Sequence, residues 1–181
     1  MAALGGSVAR RYARALFAIA VERGLIESLG NELDALATTF AESPELRQTL
    51  QSPVFKTSQK RAILEKILPR VAPHRLVQSF ALLLVERGRI GSLPLIARAY
   101  QELTDVQLGR VRATVTSAKP LDVLTASEIQ RALERRTGKK VLMKTEVDAA
   151  LIGGVVARVG DLVLDGSLRT RLESIGNRIL N

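Results

Sequence analysis

The chain has no cysteine, no tryptophan and a single histidine, His74, in 181 residues. The missing cysteines exclude a disulfide framework, a cysteine zinc site and a thiol nucleophile, and they suit a reducing compartment. One histidine without cysteine leaves neither a nucleophile–His–acid triad nor an ordinary transition-metal site. His74 follows Pro73 at an expected helix start and is expected to be exposed. Aromatics amount to two Tyr and four Phe, so any core must be aliphatic. No apolar run approaches the ~20 residues a membrane-spanning helix needs. Gln78 to Val85 is too short and reads as a buried helix. Phosphate and dinucleotide loops are also missing. Thr137-Gly-Lys-Lys140 lacks the upstream glycine and the Ser/Thr after Lys, and Gly153-Gly154 precedes a strand, where a bend or bulge is the simpler account.

What is present is charge and periodicity. The net charge is +9, spread evenly: residues 1–105 carry 14 basic and 10 acidic side chains, residues 106–181 carry 13 and 8. A diffuse excess suits acidic partners or simply a well-solvated surface. Arg10, Arg11 and Arg14 share one side of a first helix, and Arg135, Arg136, Lys139 and Lys140 gather at a helix end, where they complement its dipole. Arg169, Arg171 and Arg178 fall on the polar side of a last helix. No aromatics interleave with these clusters, so solvated faces are expected in place of a nucleic-acid groove.

Six amphipathic helices are predicted over residues 1–105. Val8, Tyr12, Ala15, Leu16 and Ile19 mark the first, with Gly24 as its C-cap. Ile26, Leu29, Leu33, Leu36 and Phe40 mark the second. Ser43-Pro44 starts a short third that runs to Leu50. Ser58 is expected to cap a fourth, through Ile63, Leu64, Ile67 and Leu68, and Pro69 to end it. Leu76, Val77, Phe80, Leu83 and Leu84 mark a fifth, ended by Gly88. Ser92 is expected to cap a sixth, through Leu93, Ile96, Ala97, Tyr100 and Leu103. The segment Val21-Glu-Arg-Gly24 recurs as Val85-Glu-Arg-Gly88, each followed by Ile and then Ser-Leu, which points to two related helical hairpins.

Near Leu108-Gly109 the period changes from helix to strand. Val111, Ala113, Val115 and Ser117 alternate with Arg110, Arg112, Thr114 and Thr116, a strand with one polar face. A helix capped by Thr125 or Ser127 and ended by Gly138 follows, then a strand over 140–147. The stretch from Leu151 to Leu172 reads as strand, turn, strand, turn and helix. Gly160-Asp161 fits a two-residue hairpin. Asp165-Gly166-Ser167 turns the chain and supplies an N-cap. Leu168, Leu172, Ile175 and Ile179 form one face of a closing helix. Asp148, Asp161 and Asp165 could be imagined as a hard-cation cluster, but turn and cap chemistry accounts for each aspartate more simply. The fold class is therefore α+β multidomain: a six-helix bundle over 1–105 and a small α+β domain over 106–181, with a boundary near 104–110.

Three segments carry a resemblance that spans essentially the whole chain: Val8 to Phe17 (Val-Ala-Arg-Arg-Tyr-Ala-Arg-Ala-Leu-Phe); Glu86-Arg-Gly-Arg-Ile90 with Leu93-Pro94; and Asp148 to Leu172, above all Gly153-Gly154, Arg158-Val-Gly-Asp161 and Asp165-Gly-Ser-Leu-Arg169. The chain resembles the delta subunit of bacterial F-type ATP synthases, the counterpart of the mitochondrial oligomycin-sensitivity-conferring protein. The resemblance implies a non-catalytic stator connector without cofactor or metal, present once per complex. Its helical domain would bind the N-terminal segments of the alpha subunits of the catalytic head. Its C-terminal domain would bind the peripheral-stalk b subunits, so that the head cannot turn with the rotor. It also implies a peripheral place on the cytoplasmic face of a bacterial inner membrane, with no direct insertion and no nucleic acid bound. The N-terminus is Arg-rich like a transit peptide, but its apolar face runs unbroken through Ile19, which favours a bacterium over an organelle.

The family places a groove for a partner helix between the first and fifth helices. Tyr12 and Leu16, with Leu83 and Leu84 opposite, are the candidate partner residues there. On the residues alone, bundle core accounts for Leu16 and Leu84 at least as well, whereas the Tyr12 hydroxyl suits a half-exposed rim. The last helix and the basic residues near it are the candidates for the stalk. Gly153, Gly154, Gly160, Asp161, Asp165, Gly166 and Ser167 are read as the structural frame of the C-terminal domain. A basic helical nucleic-acid-binding protein is the alternative, set apart by a steep salt dependence. An enzyme of unrecognised type is the third reading, disfavoured by the residue inventory.

Overall fold

The computed structural model describes residues 2–151, 153–160 and 162–165. The expected closing helix, together with Asp161, Gly166, Ser167, Arg169, Arg171 and Arg178, lies outside these residues. The chain divides into two compact units between Thr104 and Asp105. The architecture is the expected one, mostly helical with a smaller α/β part after it.

The first unit is built from α1 (Ala2–Glu22), α2 (Ile26–Glu42), α3 (Pro44–Gln51), α4 (Thr57–Val71), α5 (Arg75–Glu86), a 3-10 turn (Ile90–Ser92) and α6 (Leu93–Gln107). Its core is aliphatic and small-residue-rich. Ala9, Ala13, Leu16 and Ala20 of α1 pack with Leu29, Leu33 and Leu36 of α2 and with Val77, Ala81 and Leu84 of α5. Tyr100 of α6 is the largest fully buried side chain. Its ring meets Phe17 edge-on at 5.5 Å, and its hydroxyl donates to the Ile26 carbonyl at 2.9 Å. Gly30 makes room for it, since a Cβ there would lie 3.0 Å from Tyr100 Cε1.

The two copies of Val-Glu-Arg-Gly close their helices identically. Gly24 and Gly88 both take positive φ, 66° and 63°. Leu25 N–H donates to Ala20 O and Arg89 N–H to Leu84 O, the long bond of a glycine-terminated helix. Arg23 and Arg87 donate to Ile19 O and Leu83 O in the same way. The sequence echo is thus a structural one.

Several boundaries differ from expectation. His74, expected to be exposed, is partly buried and caps α5: its Nδ1 accepts the Leu76 N–H at 3.2 Å. Ser58 does not cap α4. The helix starts at Thr57 after Lys56, whose N–H donates to Gln59 Oε1 at 2.9 Å. Pro69 does not end α4 either, because Leu68 and Ala72 are buried in the core and hold the last turn to Val71. Proline forfeits only one backbone bond there. Ser92 lies in the 3-10 turn that runs into α6. In the second unit Asp122, not Thr125 or Ser127, caps α7. It accepts from Thr125 N at 2.8 Å and from Thr125 Oγ1 at 2.9 Å, and these bonds hold its carboxyl below the usual aspartate range.

The second unit carries β1 (Arg110–Ser117), α7 (Val123–Thr137), β2 (Lys140–Val147), β3 (Val155–Val159) and β4 (Leu162–Asp165). The sheet order is β2-β1-β3-β4. β1 and β2 are parallel, joined across α7, while β3 and β4 are antiparallel additions. One face, with Ala113, Val115, Val141, Ala157 and Val159, is covered by Leu133 and Ile129 of α7. Helix α7 also serves the β2 backbone at Val141, whose N–H donates to Glu134 Oε1 and whose carbonyl accepts from Gln130 Nε2. At the head of β1, the buried Asp105 accepts from Arg110 Nε at 2.9 Å and Arg112 Nε at 2.6 Å.

Two outcomes follow from these buried polar groups. Burial pushes the Tyr100 hydroxyl up from 10.0 to about 12. The folded state therefore keeps a proton that the unfolded chain loses, and stability is full below pH 10 and falls by about 2–3 kcal/mol as pH rises towards 12. Urea melts across this range will show the loss in the native chain but not in Tyr100→Phe, which starts about 1 kcal/mol lower at neutral pH. Asp105→Asn will cost about 2 kcal/mol in the same melts, because two guanidinium groups lose their shared carboxylate.

Candidate functional site

Helices α1 and α5 each carry more apolar width than the bundle covers. Along α1 the buried line is Ala9, Ala13, Leu16 and Ala20. Beside it runs a second line at helical spacing, Val8, Tyr12, Ala15 and Ile19, which is half-buried to exposed. Along α5, Val77, Ala81 and Leu84 point into the core, and Leu76 and Leu83 flank them. Tyr12 and Phe80 join the two helices edge-on at 6.2 Å. An offset of 64 residues, the spacing of the two Val-Glu-Arg-Gly copies, aligns Tyr12 with Leu76 and Ile19 with Leu83. Ile19 and Leu83 are 37% and 38% exposed, so equivalent positions of the two hairpins both present apolar surface.

Of the four candidate partner residues, two lie on these apolar flanks and two do not. Tyr12 is half-buried and Leu83 exposed. Leu16 and Leu84, at 3% and 0% exposure, are part of the bundle core. The core reading that the sequence already offered for Leu16 and Leu84, and not for Leu83, is the one the structure bears out. Ile19 and Leu76 were missed as wall residues because both read as helix core. The echo was the signal that could have found them.

Of the frame residues in the second unit, Gly153 and Gly154 form bends before β3, with Gly154 at φ 83°. Gly160, at φ 57°, sits in the two-residue connection that leaves Val159 opposite Leu162. Asp165 ends β4. Asp148 is engaged in a turn, its Oδ1 accepting from Ala150 N at 2.9 Å. Among the described residues no group of three or more His, Asp or Glu side chains is placed to hold a metal ion. Nor, among them, is any helix long and apolar enough to cross a membrane. The arginines of α1 are exposed around a surface hollow with Ser7, and Arg135, Lys139 and Lys140 border another with Glu134.

Residues 8–179 match the family described as ATP synthase delta (OSCP) subunit. The ATP synthase subunit delta of Anaeromyxobacter dehalogenans (strain 2CP-C) is 46% identical over 172 residues, 95% of this chain and 96% of that one. The ATP synthase subunit delta of Trichlorobacter lovleyi is 40% identical over 95% of this chain and 96% of its own length. Among solved structures, a chain of the Toxoplasma gondii mitochondrial ATP synthase hexamer superposes with a TM-score of 0.69 at 26% identity, covering 96% of this chain and 97% of that one.

The division between core and groove has a direct thermodynamic consequence. Leu84→Ala will lower stability by about 2–5 kcal/mol, the cost of a cavity in a packed core. Leu83→Ala will change it by less than about 1 kcal/mol, because much of that side chain is already in water. Chemical denaturation of the two variants will measure the contrast.

Proposed function

This chain belongs to the ATP synthase delta (OSCP) subunit family, and from that membership we propose how its two units divide the work of a connector. The subunit is non-catalytic and belongs to the peripheral stalk, or stator, of the synthase. In our reading the unit up to Thr104 seats the N-terminal segment of an alpha subunit of the catalytic head in the α1/α5 groove. The unit from Asp105 onward holds the C-terminal part of the b subunits. The protein sits once per complex, on the cytoplasmic face of a bacterial inner membrane, and reaches the membrane only through the complex. The basic nucleic-acid-binding alternative has no support among its relatives.

The observation that carries the docking proposal is the pair of apolar lines, half-buried at Tyr12 and Leu76 and exposed at Ile19 and Leu83, on two helices joined by the Tyr12–Phe80 contact. An amphipathic helix laid between them would cover Tyr12, Ile19, Leu76 and Leu83 together, burying apolar area from both walls. Tyr12 suits the role of anchor: its ring packs on Phe80 and its hydroxyl is at the rim. The two glycine-terminated turns end both walls alike.

Calorimetric titration of the full chain with a peptide of the alpha-subunit N-terminus should show one-to-one binding, with a gain of helix by circular dichroism. Tyr12→Ala should weaken it by about tenfold, a loss of ~1.4 kcal/mol typical of an interface anchor, and Leu83→Ser by a similar factor. Absence of binding both to the peptide and to the intact catalytic head would overturn the docking proposal.

A further inference from the structure

We propose that His74 makes the first turn of α5, and with it one wall of the groove, sensitive to pH. The consequence for the groove rests on the docking reading above; the cap itself does not.

His74 is the only histidine in the chain and is the N-cap of α5, with φ −73° and ψ 125°. Its Nδ1 accepts the Leu76 backbone N–H at 3.2 Å. Accepting requires a lone pair on Nδ1, so the capping ring is the neutral tautomer with its proton on Nε2. An imidazolium donates from both nitrogens and accepts at neither. Protonation therefore removes the cap and also places a positive charge at the positive end of the helix dipole.

The surroundings do not restore the lost acceptor. Glu32 of α2 faces the same residue, and its Oε2 accepts the His74 backbone N–H at 2.9 Å. That carboxylate is a counter-charge for an imidazolium, but the Leu76 amide still loses its acceptor once Nδ1 carries a proton. Arg75, next in the chain on α5 itself, is a further cation at the helix start. Gln78 donates from Nε2 to the Ala72 and Pro73 carbonyls and pins the turn before His74. The backbone entering the helix is thus fixed, and the cap depends on the ring alone. The released amide belongs to Leu76, one of the residues the docking reading assigns to the α5 wall, so on that reading a proton at His74 loosens the wall.

The lone imidazole gives this a clean test in the full-length protein. Nitrogen-15 spectra at pH 8 should show the proton on Nε2 and an unprotonated Nδ1. As pH falls from 8 to 5, amide exchange should show the protection of Leu76 dropping about fivefold relative to Leu84, the equilibrium equivalent of a typical N-cap. In His74→Asn, which caps without titrating, the ratio should stay constant. A proton on Nδ1 at pH 8, or the same pH dependence in both proteins, would overturn the proposal. The alpha-subunit peptide should bind the native chain several-fold more weakly at pH 5 than at pH 8, with no such change in His74→Asn. Equal affinity at both pH values in the native chain would overturn the link to the groove. Failure to bind at either pH would overturn the docking reading instead, leaving the cap to be judged on the amide data.

Discussion

Much of the helical unit depends on one buried hydroxyl. Tyr100 brings the largest wholly buried side chain into a core otherwise made of aliphatic residues with Phe40 and Phe80, and a phenol cannot be buried unpaired without losing what its ring gains. The Ile26 carbonyl satisfies it. That bond fixes α6 against the first turn of α2, and Phe17 brings α1 against the same ring. Gly30 is the matching concession, giving up helix propensity so that α2 can approach the ring closely. With α1, α2 and α6 tied at this point, α5 is held by the Tyr12–Phe80 edge contact and by Glu32 at its N-terminus, and the rest is mainly aliphatic packing.

The same packing explains why a groove exists. Four of the inward positions of α1 are Ala9, Ala13, Leu16 and Ala20, and these small side chains let the helix sit deep while its flank stays apolar. A helix that hid all its apolar surface in its own bundle would leave nothing for a partner. Here Ile19 and Leu83 stay exposed, and Tyr12 and Leu76 are only partly buried. The repeat leaves such surface on both hairpins, the feature on which the docking proposal rests.

The second unit solves a different problem with backbone pairing. Its parallel pair of strands needs a crossover, and α7 supplies both the cover for one face and partners for the β2 backbone. The other face stays polar through Arg112, Thr114 and Thr116. Asp105 gathers the first two arginines of β1 and prevents a cluster of like charge at the head of the strand.

The sequence by itself determined the helices and strands, the α+β class, the glycine-terminated turns and the repeat. Each of these is written in local periodicity or in a backbone conformation that only glycine takes easily. It also determined the absence of catalytic equipment, a matter of inventory. It did not determine how α4 runs past Pro69, which residue caps α7, or that His74 is a cap. Those depend on which side chain or core position lies within reach once the chain has folded. The same limit applies to the groove. Leu83 and Leu84 are one chemistry on one helix, and only the packing of α1 and α5 sends one inward and leaves the other in water. Tertiary structure decided that, because burial is a property of neighbours and not of the residue.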